Sequence, residues 1–312
     1  MTFEPVKGLK ELPEEEPLSS GHRLCPGCGA SIVVRQVLLA APKDTVVVNA
    51  TGCLEVSTAN YPYSAWNRPW IHSVFANTAA VASGVEAGFR ALAARGDGEE
   101  HPIVVFGGDG GTYDIGLQAL SGAMERGHRF LYVCYDNEAY MNTGIQRSGG
   151  TPRGAWTTTS QVGSAKLGKT EAKKDIMSIV VAHHVPYAAT ASTSHWRDLM
   201  TKVRKALSKE GPTFLHVIAP CTRGWRFDAS QTVSISKLAV DTRVFPLYEV
   251  EDGRYRITFP TPNPPRPIEE YLRLQGRYLH LLDPASATTL EKLKRDVADN
   301  YARIERLSKE PA

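Results

Sequence analysis

Residues 102–111 read Pro-Ile-Val-Val-Phe-Gly-Gly-Asp-Gly-Gly, and residues 130–137 read Phe-Leu-Tyr-Val-Cys-Tyr-Asp-Asn. Between them, Ile115–Arg126 repeats its apolar residues at helical spacing. Both apolar runs are short, bounded by turn residues and rich in β-branched or aromatic side chains, so each reads as a strand buried on both faces. Strand, helix and second buried strand make a parallel unit whose strands end on the same side. In such a sheet ligands bind beyond the carboxyl ends of the strands. The first strand ends in glycines, where backbone N–H groups can approach an anion at the start of a helix.

The same alternation extends outward in both directions. Thr45–Asn49, Tyr187–Thr190 and Phe214–Ala219 read as further strands, and Thr78–Ala94, Asp175–His184 and His195–Ser208 as helices. The expected fold is α/β, a parallel sheet with helices on both faces. The expected division is an N-terminal extension at 1–20, a ligand-binding domain at 21–258, and a proline-rich linker with a helical extension at 259–312. In that extension Leu290, Leu293, Val297, Tyr301, Ile304 and Leu307 form a helical stripe, which we expect to lie on a partner or on its own domain. Residues 142–174 are rich in Gly, Ser, Thr and Lys; a loop this long in a domain is usually functional or disordered.

Bulk properties exclude several classes. The 312 residues are 42% hydrophobic with a formal net charge of +3, which creates no field to recruit nucleic acid. No run of 18 apolar residues is present, so no membrane helix is expected. Residues 1–20 are acidic and contain proline, unlike a signal or transit peptide, and a cytoplasmic location is the default.

Asp109 is a poor direct partner for a phosphate, because two anions repel. It makes sense if magnesium sits between carboxylate and phosphate. Asn137 follows Asp109 by 28 positions, enough for one helix and one returning strand. The crossover brings it to the same end of the sheet, where its amide oxygen can join the same metal. The dinucleotide fingerprint fails here, since its third glycine position holds Tyr113. Residues 163–170 match the P-loop pattern, but no buried strand precedes them and no apolar helix follows. Lys166, Lys169, Lys173 and Lys174 of that loop could instead meet an anionic substrate such as coenzyme A.

The chain has five cysteines. Cys25, Cys28, Cys53 and Cys221 all sit beside Gly or Pro, in turns where backbone can wrap a ligand, whereas Cys134 lies in a buried strand. Four thiolates suit either zinc or a cubane cluster. The single close pair favours a cluster without deciding it.

The pairing of Gly108-Asp109-Gly110 with Asn137 resembles the thiamine pyrophosphate motif of thiamine enzymes. Together with residues 21–29, 49–55, 61–66, 69–72 and 142–148, it resembles the β subunit of the 2-oxoacid:ferredoxin oxidoreductase family, of the pyruvate type. The match covers roughly residues 20 to 226. The resemblance implies that Asp109, the Asn137 side chain and the Ala139 carbonyl hold Mg2+ against the cofactor. Gly52, Gly108, Gly110 and Thr143 would line its pocket, and Asn142 would be the catalytic residue facing thiazolium and substrate carbonyl. Cys25, Cys28, Cys53 and Cys221 would ligate a [4Fe–4S] cluster. The implied reaction takes pyruvate, coenzyme A and oxidised ferredoxin to acetyl-CoA, carbon dioxide and reduced ferredoxin.

The sequence offers no second module to activate the aminopyrimidine and no ferredoxin-like cysteine run. The resemblance places the former on an α subunit, and further clusters on iron–sulfur or γ-type subunits. The alternatives are another 2-oxoacid, such as oxalate or a branched-chain acid, or a non-catalytic assembly subunit stabilised by zinc.

Overall fold

The strands form because each run carries apolar residues on both sides of the pleat, and the two sides feed two different cores. In the computed structural model, which describes residues 3–310, the elements run α1 (Gly29–Ala40), β1 (Val46–Ala50), α2 (Cys53–Thr58), β2 (Trp70–Ser73), α3 (Thr78–Arg95), β3 (Ile103–Gly108), α4 (Leu117–Glu125), β4 (Leu131–Asp136), α5 (Ile176–Val181), β5 (Tyr187–Ser192), α6 (Trp196–Leu207), β6 (Thr213–Ile218), α7 (Thr232–Asp241), β7 (Tyr248–Glu251), β8 (Arg254–Ile257), α8 (Ile268–Arg273) and α9 (Ala287–Leu307). One sheet takes the order β2-β1-β3-β4-β6-β5-β7-β8. The first six strands are parallel, and β7 and β8 add an antiparallel hairpin beside β5.

Val47, Val104, Phe106, Val133 and Leu215 face a core closed by α1 and α6. Their neighbours Val48, Val105, Tyr132, Cys134 and Phe214 face the opposite core under α3, α4 and α5. The parallel sheet covered on both faces is thus the one the sequence indicates. A third core lies among α7, α8 and α9.

Several details differ from the sequence reading. The helix expected from Ile115 begins at Leu117, because residues Gly110–Asp114 first make a π turn. Gly116 allows it: a Cβ there would stand 2.0 Å from the Gly111 carbonyl oxygen. Strands β2, β7 and β8 were not expected. The β7–β8 hairpin turns at Asp252 and Gly253, both at positive φ (48° and 80°), which is the Asp-Gly hairpin signature.

The terminal stripe is committed to its own domain. Ile304 is fully buried in the core under α5, Leu293 is buried in the third core, and Leu290 and Val297 pack against it. Of the two placements expected for this stripe, on a partner or on its own domain, the structure shows the second and not the partner-wrapping one. Ile304→Ala is expected to lower stability by about 2–5 kcal/mol in chemical denaturation, as for other fully buried aliphatic truncations. A loss within error of zero would mean that α9 is detached in solution.

Candidate active site

The carboxyl ends of β1, β3 and β4 converge on a cavity of about 110 Å³. Its walls include Thr51, Gly52 and Cys53 after β1, Gly108–Gly111 after β3, and Asn137, Ala139, Asn142 and Thr143 after β4. Every expected cofactor-lining residue is therefore at this one place. Asn142 and Thr143 are exposed at its mouth, whereas Asp109 and Ala139 are buried. Gly110 is required by space, since a Cβ there would stand 2.3 Å from the Tyr140 ring; Gly108 would meet only ordinary contact with Tyr135.

Three polar groups converge in the cavity floor. One arm of the Asn137 side-chain amide lies 2.8 Å from the Ala139 carbonyl oxygen and 3.0 Å from Asp109 Oδ1. With its nitrogen there the amide donates to both oxygens, and with its oxygen there the three would share a cation. Magnesium with octahedral oxygen ligands at 2.0–2.1 Å separates neighbouring ligands by about 2.9 Å. The residues present fit that ion.

Charge counting supports the same fit. Asp136 is fully buried and accepts from Lys173 Nζ at 2.6 Å and from the Tyr113 hydroxyl at 2.9 Å, with His216 Nε2 2.7 Å from the same oxygen. Glu138 accepts from Lys173 Nζ at 2.8 Å and from Arg277 Nη2 at 2.6 Å. Two carboxylates thus meet two cations. Asp109 is left with a hydroxyl, that of Ser148. Burial pushes its carboxyl well above the ordinary range, and the Asp136 charge adds to that. Burial acts the same way on Asp136, but Lys173 and His216 outweigh it and hold that group well below its ordinary value. A buried carboxylate with no cation of its own is costly, and a divalent ion relieves the cost.

The turn after β4 is held from outside. Glu138 adopts φ 67°, a left-handed conformation uncommon for a non-glycine residue. Thr151 Oγ1 donates to its carbonyl at 2.7 Å, and its own N–H donates to Asp136 Oδ1 at 2.9 Å. Trp225 Nε1 donates to the Asn137 carbonyl at 2.7 Å. Sequence reading missed this support. Ser148, Thr151, Lys173, His216, Trp225 and Arg277 are spread between residues 148 and 277 of the chain, and no local pattern marks them as supports of one turn.

The long loop 142–174 is built into this support. Lys169 Nζ is buried and donates to the Thr151 carbonyl at 2.5 Å, Lys173 joins Asp136 and Glu138, and Lys174 pairs with Asp114 at 2.9 Å. Of the four lysines considered for an anionic substrate, only Lys166 is exposed. Lys169, Lys173 and Lys174 are thus engaged by oxygens of the protein itself. The P-loop pattern at 163–170 lies in irregular backbone, with no strand before it and no helix after it.

Four thiols gather beside the cavity. Cys28 caps α1, Cys53 opens α2 and also lines the cavity, and Cys221 follows β6. Cys25 is exposed and Cys134 is buried in β4. Gly29 N–H donates to the Pro220 carbonyl at 3.0 Å and the Thr222 hydroxyl to that of Pro26 at 3.4 Å, tying the first cysteine turn to the Cys221 loop. Gly27, at φ 68°, passes so close to Ala229 that a Cβ would stand 2.3 Å from its carbonyl oxygen. Burial raises the Cys28 thiol to about 11 and the Cys53 thiol to about 12, and in both the charges of Cys221 and Cys25 push further up. These four groups lie within electrostatic reach of one another. Gly224 N–H points at Cys221 Sγ at 3.3 Å, the contact that stabilises a thiolate ligand.

Residues 50–217 match the family described as thiamine pyrophosphate enzyme, C-terminal TPP binding domain. Pyruvate synthase subunit PorB of Methanothermobacter marburgensis is 56% identical over 281 residues, 90% of this chain and 96% of that one. PorB of Thermotoga maritima is 52% identical over 298 residues, 93% of this chain and 92% of that one. Ketoisovalerate oxidoreductase subunit VorB of Pyrococcus horikoshii is 46% identical over 307 residues, 98% of this chain and 97% of that one. Among solved structures, a 2-oxoglutarate:ferredoxin oxidoreductase from Magnetococcus marinus has the same fold, with a TM-score of 0.54 at 19% identity over 74% of this chain and 84% of that one.

Proposed function

This chain belongs to the PorB-type subunits of the 2-oxoacid:ferredoxin oxidoreductases, and from that premise we propose that it holds thiamine pyrophosphate, Mg2+ and a [4Fe–4S] cluster for the oxidation of pyruvate. The observation that carries the cofactor assignment is the buried Asp109 carboxylate, with the Asn137 amide and the Ala139 carbonyl beside it at the glycine turn, while the nearby cations Lys173 and Arg277 pair with Asp136 and Glu138. When bound, thiamine pyrophosphate supplies the nucleophilic carbon and electron sink that a 2-oxoacid needs to lose carbon dioxide, and the cluster takes electrons singly.

In this reading Asp109, Asn137 and the Ala139 carbonyl hold Mg2+, and Gly52, Gly108, Gly110 and Thr143 line the cofactor. Asn142, exposed at the cavity mouth, orients the substrate carbonyl. Cys25, Cys28, Cys53 and Cys221 hold the cluster. Among the described residues no three His, Cys, Asp or Glu side chains converge tightly enough for a single metal ion. Cys53 walls the cofactor cavity while the next residue back, Gly52, lines it, so electrons have little distance to cover.

The pyrimidine-activating module comes from an α subunit, and iron–sulfur subunits relay electrons to ferredoxin, with coenzyme A taking the acyl group. No helix of the described residues is long and apolar enough to cross a membrane. A second substrate reading has its own support, since the VorB relative matches 98% of this chain. The co-purified complex, assayed anaerobically with ferredoxin and coenzyme A against a panel of 2-oxoacids, should turn over pyruvate fastest. Preference for 2-oxoisovalerate would transfer the assignment to the branched-chain acids. The chain alone should decarboxylate none of them, and turnover by a preparation free of other subunits would defeat the split-site reading.

A further inference from the structure

One residue bonds both halves of the site, one through its backbone and the other through its side chain. Trp225 is fully buried. Its backbone N–H donates to the Cys221 carbonyl at 2.9 Å, closing the loop that carries that thiol. Its indole Nε1 donates to the Asn137 carbonyl at 2.7 Å, on the residue whose side chain meets Asp109. The indole is fixed in turn by Arg277, whose guanidinium carbon stacks 3.8 Å from the ring centroid while Nη2 grips Glu138.

We propose that Trp225 is a positioning residue that ties the metal-binding turn to the Cys221 loop, with Arg277 as the clamp that fixes its ring. Resting on the reading of Cys221 as a cluster ligand and Asn137 as a metal ligand, this makes the two sites thermodynamically linked. A cluster that orders residues 221–225 sets the indole, and the indole sets Asn137. Linkage is reciprocal, so filling either site favours filling the other.

The test uses the intact complex, purified anaerobically, with thiamine pyrophosphate titrated by calorimetry at saturating Mg2+. Trp225→Phe removes the indole N–H and leaves a smaller aromatic ring in the same pocket. It should weaken cofactor binding by about 10–100-fold, the usual effect of losing a group that orients a metal ligand, and keep the iron content of wild type. Stripping iron from wild type with a chelator should weaken cofactor binding as well, whereas stripping Trp225→Phe should weaken it no further. Equal affinity of wild type with and without iron, or the same drop in both proteins, would overturn the proposal. Should Trp225→Phe not fold, Arg277→Lys keeps the charge facing Glu138 but loses the planar stack, and the same comparison applies to it. Wild type that binds no iron or no cofactor at all overturns the underlying reading instead, and is recognised by its own direct measurement.

Discussion

Asp109→Ala is expected to abolish thiamine pyrophosphate binding. Asp109 is the carboxylate in the cavity floor, and the turn's own cations, Lys173 and Arg277, are bonded to Asp136 and Glu138. Without it, magnesium would face an amide and a carbonyl oxygen, two neutral ligands, and the diphosphate would meet no charged bridge to the protein. The loss should exceed the 10–100-fold typical of a residue that merely orients a ligand, and calorimetry up to millimolar cofactor should show no saturation. The fold should survive. Removing a buried carboxylate whose ionised form is disfavoured by burial and by Asp136 relieves the unloaded protein, so denaturation should show equal or greater stability. Ordinary cofactor binding by Asp109→Ala would leave the glycine turn with a purely structural role.

Cys221→Ser is expected to remove the cluster. Iron, labile sulfide and the broad visible absorption should all disappear from anaerobically purified protein, with the same outcome for Cys25, Cys28 and Cys53. Cys134→Ser should retain all three signals, because that thiol faces the core between β4 and the helices rather than the other four. Coordination must overcome the raised Cys28 and Cys53 thiols, so loading should release protons and improve as pH rises toward their values of about 11 and 12. Full iron content in Cys221→Ser would remove the fourth ligand from the assignment.

The parts of the molecule legible from sequence were those that repeat a local period. The runs at 103–106 and 131–135 and the helix at 78–95 announce themselves through apolar spacing. Strand β2 did not, because four residues without alternation carry no period. The β7–β8 hairpin was missed although Asp252-Gly253 is a strong turn signal, because its two short strands stand apart from the parallel pattern. At the site, the glycines, Asp109 and Asn137 could be found because they follow strand ends. Their supports could not. Nothing local links Glu138 to Arg277, 139 positions away, or Asn137 to Trp225, 88 positions away. Such contacts are products of the finished fold.

That separation has a consequence for how the protein is made. Chains emerge at about 5–20 residues per second, so roughly 7–28 s pass between synthesis of Glu138 and of Arg277. During that interval β1, β3 and β4 can already pair, but the left-handed turn at Glu138 lacks its clamp and the carboxylate lacks its guanidinium. A nascent chain that stops short of residue 277 therefore holds this turn with Lys173 alone, and cofactor loading is expected to follow the arrival of Arg277. A ribosome-stalled chain ending before residue 277 should carry the sheet and yet remain empty at any ordinary concentration of thiamine pyrophosphate.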